Sequence, residues 1–377
     1  MSSATGKDEG LSFREQEPRG VVLVGDAAEQ LMKLAPESVD CVVTSPPYYS
    51  LRDYAVAGQI GLEPDVQGWV DELMIVMRGL ARVLKGSGSL WLNLGDSYSR
   101  HPRYGASAKS MLCAPERLLL ALSAEGWIVR NKVIWAKPNP MPSSVTDRLN
   151  TTYEVVYHLT RSPRYTYFLD AIREPHRSKG SRQARPPLGK APAWAGPLAG
   201  SQDGLCRARP EGIPGHLLGK NPGDVWCIPT RGFRGAHFAT FPEKLVVRPI
   251  LATCPEAVCI RCAAPWKREV SAKRLPIKGK ATPRPEDPNV FRLRAFWHTV
   301  RQVGDLIPCG CQAPTRPGVV LDPFFGAGTV GVVAERMGRD WVGIELNPDY
   351  AALARKRIEA ARKERRSSNE NQERRAA

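Results

Sequence analysis

The sequence predicts an α/β fold built on a doubly wound, mostly parallel sheet. Short apolar runs such as Val39–Val43 and Val319–Leu321 lack the period-two alternation of a half-exposed strand, which is the pattern of strands buried on both faces. Each of these runs feeds a loop rich in Pro or Gly: Thr44-Ser45-Pro46-Pro47-Tyr48 after the first, Asp322-Pro323-Phe324-Phe325-Gly326-Ala327-Gly328-Thr329 after the second. A further run, Trp341–Ile344, ends in Glu345, roughly 20 positions past the Gly-rich turn, where doubly wound folds commonly place an acid for a ribose hydroxyl pair.

Taken along the chain, residues 1–18 read as a disordered polar leader. Val21–Val24 reads as the first strand, Ala28–Leu34 as a helix, and Val39–Val43 as the strand that enters the Pro-Pro loop. Helical spacing of apolar residues over Trp69–Val83, a Gly86-Ser87-Gly88 turn and a strand over Ser89–Leu94 follow, then a helix over Pro115–Glu125 and a strand over Val129–Trp135. Residues 19–175 thus form one half of an α/β domain. From 176 to 220 the chain turns to Gly, Pro, Ser and Arg with almost no apolar period, which marks an irregular insert; long loops of that kind are usually functional or disordered. Segment 221–256 carries a helix over Pro242–Ala252, and segment 257–316 is a cysteine-bearing insert. The second half, 317–358, holds Val319–Leu321, a helix over Thr329–Met337 and the Trp341–Ile344 strand; residues 359–377 read as a basic tail in which a helix frays. Both halves are expected to build one seven-stranded sheet, with the strand before Ser45 beside the strand before Gly326 so that two bound molecules can meet in one crevice.

The net charge of +16 is uneven: residues 161–301 hold 26 Lys and Arg against 10 Asp and Glu. A basic block of that size points to a polyanionic partner, nucleic acid first. No stretch approaches the roughly 18 apolar residues of a membrane span, and the polar start has no signal-peptide pattern. The expectation is a soluble, cytoplasmic protein with no membrane partner. Nine cysteines in such a chain argue against a disulfide framework. Two close pairs, Cys259-x-x-Cys262 and Cys309-x-Cys311, suggest a structural four-cysteine zinc site, with reduced incidental thiols as the alternative. Cys254 is a further candidate at a helix end; Cys41, Cys113, Cys206 and Cys227 stand alone as packing or surface residues.

The two loops, with Val24-Gly25-Asp26, Trp91-Leu92-Asn93-Leu94-Gly95-Asp96-Ser97-Tyr98, Ile134-Trp135-Ala136-Lys137-Pro138-Asn139-Pro140-Met141-Pro142 and His237-Phe238-Ala239-Thr240-Phe241-Pro242, resemble the motif set of β-group amino DNA methyltransferases of bacterial or phage type. The likeness covers roughly residues 20–175, 221–256 and 317–358, whereas the cysteine insert departs from the family plan. It implies a Rossmann-like S-adenosylmethionine-dependent sheet with circularly permuted motif order, in a bacterial cell or phage-infected host. It also implies a catalytic loop of Ser45, Pro46, Pro47 and Tyr48. An exocyclic amine must lose conjugation with its ring before it can attack a sulfonium methyl; the Ser45 hydroxyl and the Pro46 carbonyl would accept its hydrogens, and Tyr48 would face the flipped base. The cofactor would be held by Asp26 (adenine amine), Asp322 (ammonium group), Glu345 (ribose), Thr44, Pro323, Phe324, Gly326, Gly328, Thr329 and Phe241. The insert at 176–220 falls where this group keeps target recognition, with Arg177, Lys179, Arg182, Arg185, Arg207 and Arg209 as contacts to double-stranded DNA.

Ser-Pro-Pro-Tyr is the form associated with N4 of cytosine; N6 of adenine needs the same acceptors and stays open. So do a non-catalytic DNA-binding protein of the same fold and a small-molecule methyltransferase, the latter disfavoured by the basic middle segment. No nuclease motif is present, so a restriction endonuclease would be a separate partner.

Overall fold

The computed structural model describes residues 20–174, 218–230, 241–277, 282–284, 287–292, 296–311 and 313–376. In chain order the elements are β1 (Gly20–Val24), α1 (Ala27–Met32), β2 (Val39–Thr44), α2 (Val66–Val83), β3 (Leu84–Leu94), α3 (Ala114–Ala124), β4 (Ile128–Ala136), β5 (Tyr153–Thr160), α4 (Leu169–Ile172), β6 (Val225–Cys227), α5 (Glu243–Thr253), β7 (Val258–Cys259), β8 (Lys267–Ile277), β9 (Thr282–Arg284), β10 (Asp287–Arg292), β11 (Phe296–Ile307), β12 (Thr315–Arg316), β13 (Val319–Asp322), α6 (Thr329–Arg336), β14 (Asp340–Glu345) and α7 (Pro348–Ala376). They fall into two compact units. The first comprises Met1–Phe168, Gly223–Lys267 and Pro308–Ala377; the second comprises Leu169–Pro222 and Arg268–Ile307.

The first unit is organised on an eight-stranded sheet in the order β1-β14-β13-β2-β3-β5-β4-β6. The expectation of seven strands is corrected by an eighth, the edge strand β6, which is three residues long, parallel to β4 and too short to show a period in sequence. Strands β1, β14, β13, β2 and β3 are mutually parallel, while β5 runs antiparallel between β3 and β4. Every residue of β2, β13 and β14 is buried, as their largely apolar sequences without period-two alternation lead one to expect. The charge inside β2 is matched: Asp40 pairs with Lys85 and accepts the backbone N–H of Val319 at 3.0 Å, tying the start of β13 to β2. Strand β2 lies next to β13, so the strands that end at the two motif loops are neighbours, as expected.

Helix α2 forms because Val66, Trp69, Val70, Leu73, Met77 and Leu80 recur at helical spacing and are all buried, and because Asp65 caps it by accepting from Gly68 N at 2.9 Å. Helices α1, α2 and α3 form one packed group and α5, α6 and α7 another, as in a doubly wound fold.

The basic tail expected over 359–377 is instead part of α7, a helix running from Pro348 to Ala376. Its polar composition conceals a thin stripe, Ala351, Ala354, Ile358 and Ala361, that is buried at i, i+3, i+7 and i+10. Two of its arginines hold it to α6, Arg362 pairing with the buried Glu335 at 3.0 Å and Arg365 bonding the Glu335 carbonyl at 3.1 Å.

In the second unit, β8 pairs with β11 and β9 with β10. Glu174 and Lys220 exchange backbone hydrogen bonds of 3.0 and 2.8 Å, and the Arg173 guanidinium donates to Gly219 O at 3.1 Å. Arg177, Lys179, Arg182, Arg185, Arg207 and Arg209 lie outside the described residues, as do His237–Thr240. Among the described residues no helix is long and apolar enough to cross a membrane.

Candidate active site

The C-terminal ends of β1, β2, β13 and β14, adjacent and parallel, open on one pocket. Gly25 and Asp26 line it from the end of β1, Ser45 and Pro47 from the loop after β2, and Pro323, Phe324, Gly326 and Thr329 from the turn after β13. Glu345 closes it at the end of β14, with Phe241 and the loop bearing Tyr54 and Ile60 completing the wall. This is where a doubly wound sheet binds ligands, because strand order reverses there and leaves a crevice. Ser45 and Gly326, separated by most of the chain, share one wall.

The Gly-rich turn is held from below. Gly326 N donates to Glu345 Oε2 at 2.6 Å and Asn347 N donates to Oε1 at 2.9 Å, so Glu345 both lines the pocket and fixes the turn. Burial raises its carboxyl above the usual range. Gly328 has φ +75°, and a Cβ there would lie 2.7 Å from the Ala354 Cβ, which leaves only glycine. Asp26 stands in the wall and also caps α1, accepting from Glu29 N at 3.0 Å.

Asp322, expected at an ammonium group, sits beneath the turn and is not part of the pocket wall. It is 1 % exposed, and its Oδ1 accepts from Thr44 Oγ1 at 2.7 Å and from Phe324 N at 3.0 Å. Thr44, Pro46, Tyr48 and Gly328 are likewise not among the residues that line the pocket, although each adjoins one that does. The Thr44–Asp322 bond links the two motif loops across neighbouring strands. Burial pushes the Asp322 carboxyl up to about 7.

The Pro-Pro loop after β2 is anchored at both ends. Trp69 of α2, fully buried, donates from Nε1 to Pro47 O at 2.9 Å, and Ser50 N donates to Gly61 O at 2.8 Å. Gly95, at the end of β3, backs onto Tyr48: a Cβ there would meet the Tyr48 ring at 2.6 Å. Behind Ser45 lies a polar cluster that sequence reasoning did not assemble. Ser45 Oγ donates to Tyr48 Oη at 3.2 Å, and Tyr48 Oη donates to Glu154 Oε2 at 2.6 Å. Asn93 Nδ2 is shared among Tyr48 Oη at 2.7 Å, Glu154 Oε2 at 2.9 Å and Ser45 Oγ at 3.2 Å, while Lys137 pairs with Glu154 Oε1. Tyr48 is half-buried, but its desolvated hydroxyl, with Glu154 alongside, titrates well above the ordinary range and stays a donor. Asn93 and Lys137 stand inside motif strings, whereas Glu154 had only one available signal: an acid opening the apolar run Val155-Val156-Tyr157.

The four expected metal ligands come together within the first unit. The Sγ atoms of Cys259, Cys262, Cys309 and Cys311 lie within 4.8 Å of one another, with Cys262 and Cys309 3.6 Å apart. Strand β7 pairs with β12, Cys259 opposite Thr315, and Ala263 N closes the Cys-x-x-Cys turn on Cys259 O at 2.9 Å. Cys254 is apart from this group, fully buried at the end of α5, and Cys41 is buried in β2 at 3.3 Å from Thr253 Oγ1. Cys113 and Cys227 are exposed, and Cys206 is outside the described residues.

Residues 39–260 and 312–356 match the N6/N4 methyltransferase family model, described as DNA methylase. The chain belongs to this family of DNA methylases. It is 31 % identical over 357 residues to type II methyltransferase M.Cfr9I of Citrobacter freundii, covering 89 % of this chain and 86 % of that one. It is also 31 % identical to type II methyltransferase M.SmaI of Serratia marcescens, over 359 residues, covering 89 % of this chain and 90 % of the relative. Its fold is shared with the PvuII DNA methyltransferase (cytosine-N4-specific), at a TM-score of 0.51 and 18 % identity over 91 % of this chain and 89 % of that one. The DNA methylase fold thus accounts for the crevice that both motif loops line.

Proposed function

We propose that this DNA methylase transfers the methyl group of S-adenosylmethionine to N4 of a cytosine flipped out of duplex DNA at a specific site. The observation that carries the reading is the meeting of Ser45 with the Gly-rich turn and Glu345 in one wall. In this reading Glu345 accepts the ribose hydroxyls, Asp26 faces the adenine amine, Phe324 and Phe241 bound the cofactor, and Gly326 lets the backbone approach it. Pro323 and Thr329 complete that wall, while Thr44, Asp322 and Gly328 support it from behind. Ser45 and the Pro46 carbonyl accept the hydrogens of the target amine; the Pro47 carbonyl is already taken by Trp69. The bound cofactor supplies the electrophilic methyl group. The Ser-Pro-Pro-Tyr form of the loop favours cytosine, and a fold shared with a cytosine-N4-specific enzyme agrees with it. Arg177, Lys179, Arg182, Arg185, Arg207 and Arg209 supply phosphate contacts in this proposal, and the type II names of the relatives suggest a separate endonuclease as a partner.

Mass spectrometry of nucleosides from DNA of cells expressing the protein tests the reading. N4-methylcytosine is expected; N6-methyladenine would reassign the base, and no modified base would overturn the activity.

The cysteine cluster fits a structural zinc ion. Four thiolates around zinc at about 2.3 Å stand roughly 3.8 Å apart, close to the Cys262–Cys309 separation of 3.6 Å, and they leave no open position for chemistry. One zinc per chain is expected by elemental analysis of protein purified without chelator. Well under one would reject the site.

A further inference from the structure

The proposed mechanism asks Ser45 Oγ to accept a hydrogen bond from the target amine, yet a serine hydroxyl offers a proton as readily as a lone pair. Which it presents to the pocket depends on where its own hydrogen points. The cluster behind Ser45 decides this. Every donor in it leads to one carboxylate: Ser45 donates to Tyr48 Oη at 3.2 Å, Tyr48 donates to Glu154 Oε2 at 2.6 Å, and Asn93 Nδ2 donates to the same oxygen at 2.9 Å. An ionised carboxylate accepts only, so it sets the direction of each bond above it. The Asn93 amide cannot be turned over, because its oxygen would then face Glu154. Lys137, on the far side, holds the second carboxylate oxygen and leaves Oε2 to Tyr48 and Asn93.

We propose that Glu154 is a positioning residue for methyl transfer: through the Tyr48 hydroxyl and the Asn93 amide it turns the Ser45 hydrogen away from the pocket, so that Ser45 Oγ meets the target amine as an acceptor. The proposal rests on the reading that Ser45 accepts from that amine. Tyr48 then has two duties, a ring face for the base and a hydroxyl that passes polarity from Glu154 to Ser45.

The isosteric change Glu154→Gln separates polarity from packing. If the new amide oxygen faces Tyr48, its NH2 confronts the Lys137 ammonium. If the oxygen faces Lys137, the NH2 donates to Tyr48 Oη, and the Tyr48 proton swings toward Ser45 and reverses the chain. Single-turnover methylation of duplex DNA by E154Q is expected to fall at least ~10-fold, with cofactor and DNA dissociation constants within about twofold of the wild type and the thermal unfolding midpoint nearly unchanged. Tyr48→Phe, which keeps the ring and removes the link, is expected to slow the same step by a similar factor, and it decides the matter if E154Q does not fold. A wild-type single-turnover rate in folded E154Q, or in Tyr48→Phe, would overturn the proposal while leaving the methyltransferase reading intact. A wild-type protein that methylates no DNA would instead mark the failure of that reading.

Discussion

Ser45→Ala is expected to slow methyl transfer about 100-fold at saturating substrates, since losing one positioned hydrogen-bond partner in a water-poor site costs roughly 3 kcal/mol of transition-state stabilisation. The loss should be confined to the rate. The turn that lines the rest of the pocket is held by Glu345 through Gly326 and Asn347, none of which Ser45 touches, so cofactor affinity should stay within about twofold. Tyr48 should keep its place as well, because Glu154, Asn93 and the close approach of Gly95 position it independently. Single-turnover transfer of labelled methyl groups to DNA, alongside calorimetric titration of the cofactor, measures both quantities. A normal rate in the variant would remove Ser45 from the mechanism.

Asp322→Asn is expected to change how stability depends on pH, and by a large amount. With its carboxyl raised to about 7 by burial, the folded chain keeps a proton that the unfolded chain, with an ordinary value of about 3.9, has already released. The wild-type contribution is therefore fully present below about pH 4 and is lost progressively as pH rises to about 7, by up to roughly 4 kcal/mol. Asparagine cannot ionise, yet its Oδ1 can still accept from Thr44 Oγ1 and Phe324 N. The variant should thus lose less stability than the wild type over that interval and be the more stable protein above it. Denaturant unfolding of both proteins at pH 5, 6, 7 and 8 checks this, and parallel pH profiles would contradict it.

The same residue marks the boundary between what was legible in sequence and what was not. The family resemblance places Asp322 at the ammonium group of the cofactor, since it opens the Gly-rich motif at the end of a strand. In three dimensions the carboxyl turns inward and joins the two motif loops through Thr44, a choice of rotamer and partner that depends on β2 lying against β13. Sequence alone determined the pieces with strong local signals: the buried strands β2, β13 and β14 from short, near-continuous apolar runs, α2 from its helical period, the tight turns from Pro-Pro and Gly-x-Gly, and the cysteine pairs from their spacing. These depend on residues close in the chain, so a linear reading reaches them. The three-residue strand β6 and the thin alanine stripe of α7 escaped it because their stability comes from neighbours distant in sequence. The cluster of Ser45, Tyr48, Asn93, Lys137 and Glu154 escaped it for the same reason: it draws on a loop, on strands β3 and β5 and on the residue that follows β4, brought together only by the pairing β3-β5-β4. Chemistry written in short strings was visible from the chain; the direction of a proton on Ser45 was decided by the fold, because hydrogen-bond polarity is set by whichever acceptor the tertiary structure places at the end of the line.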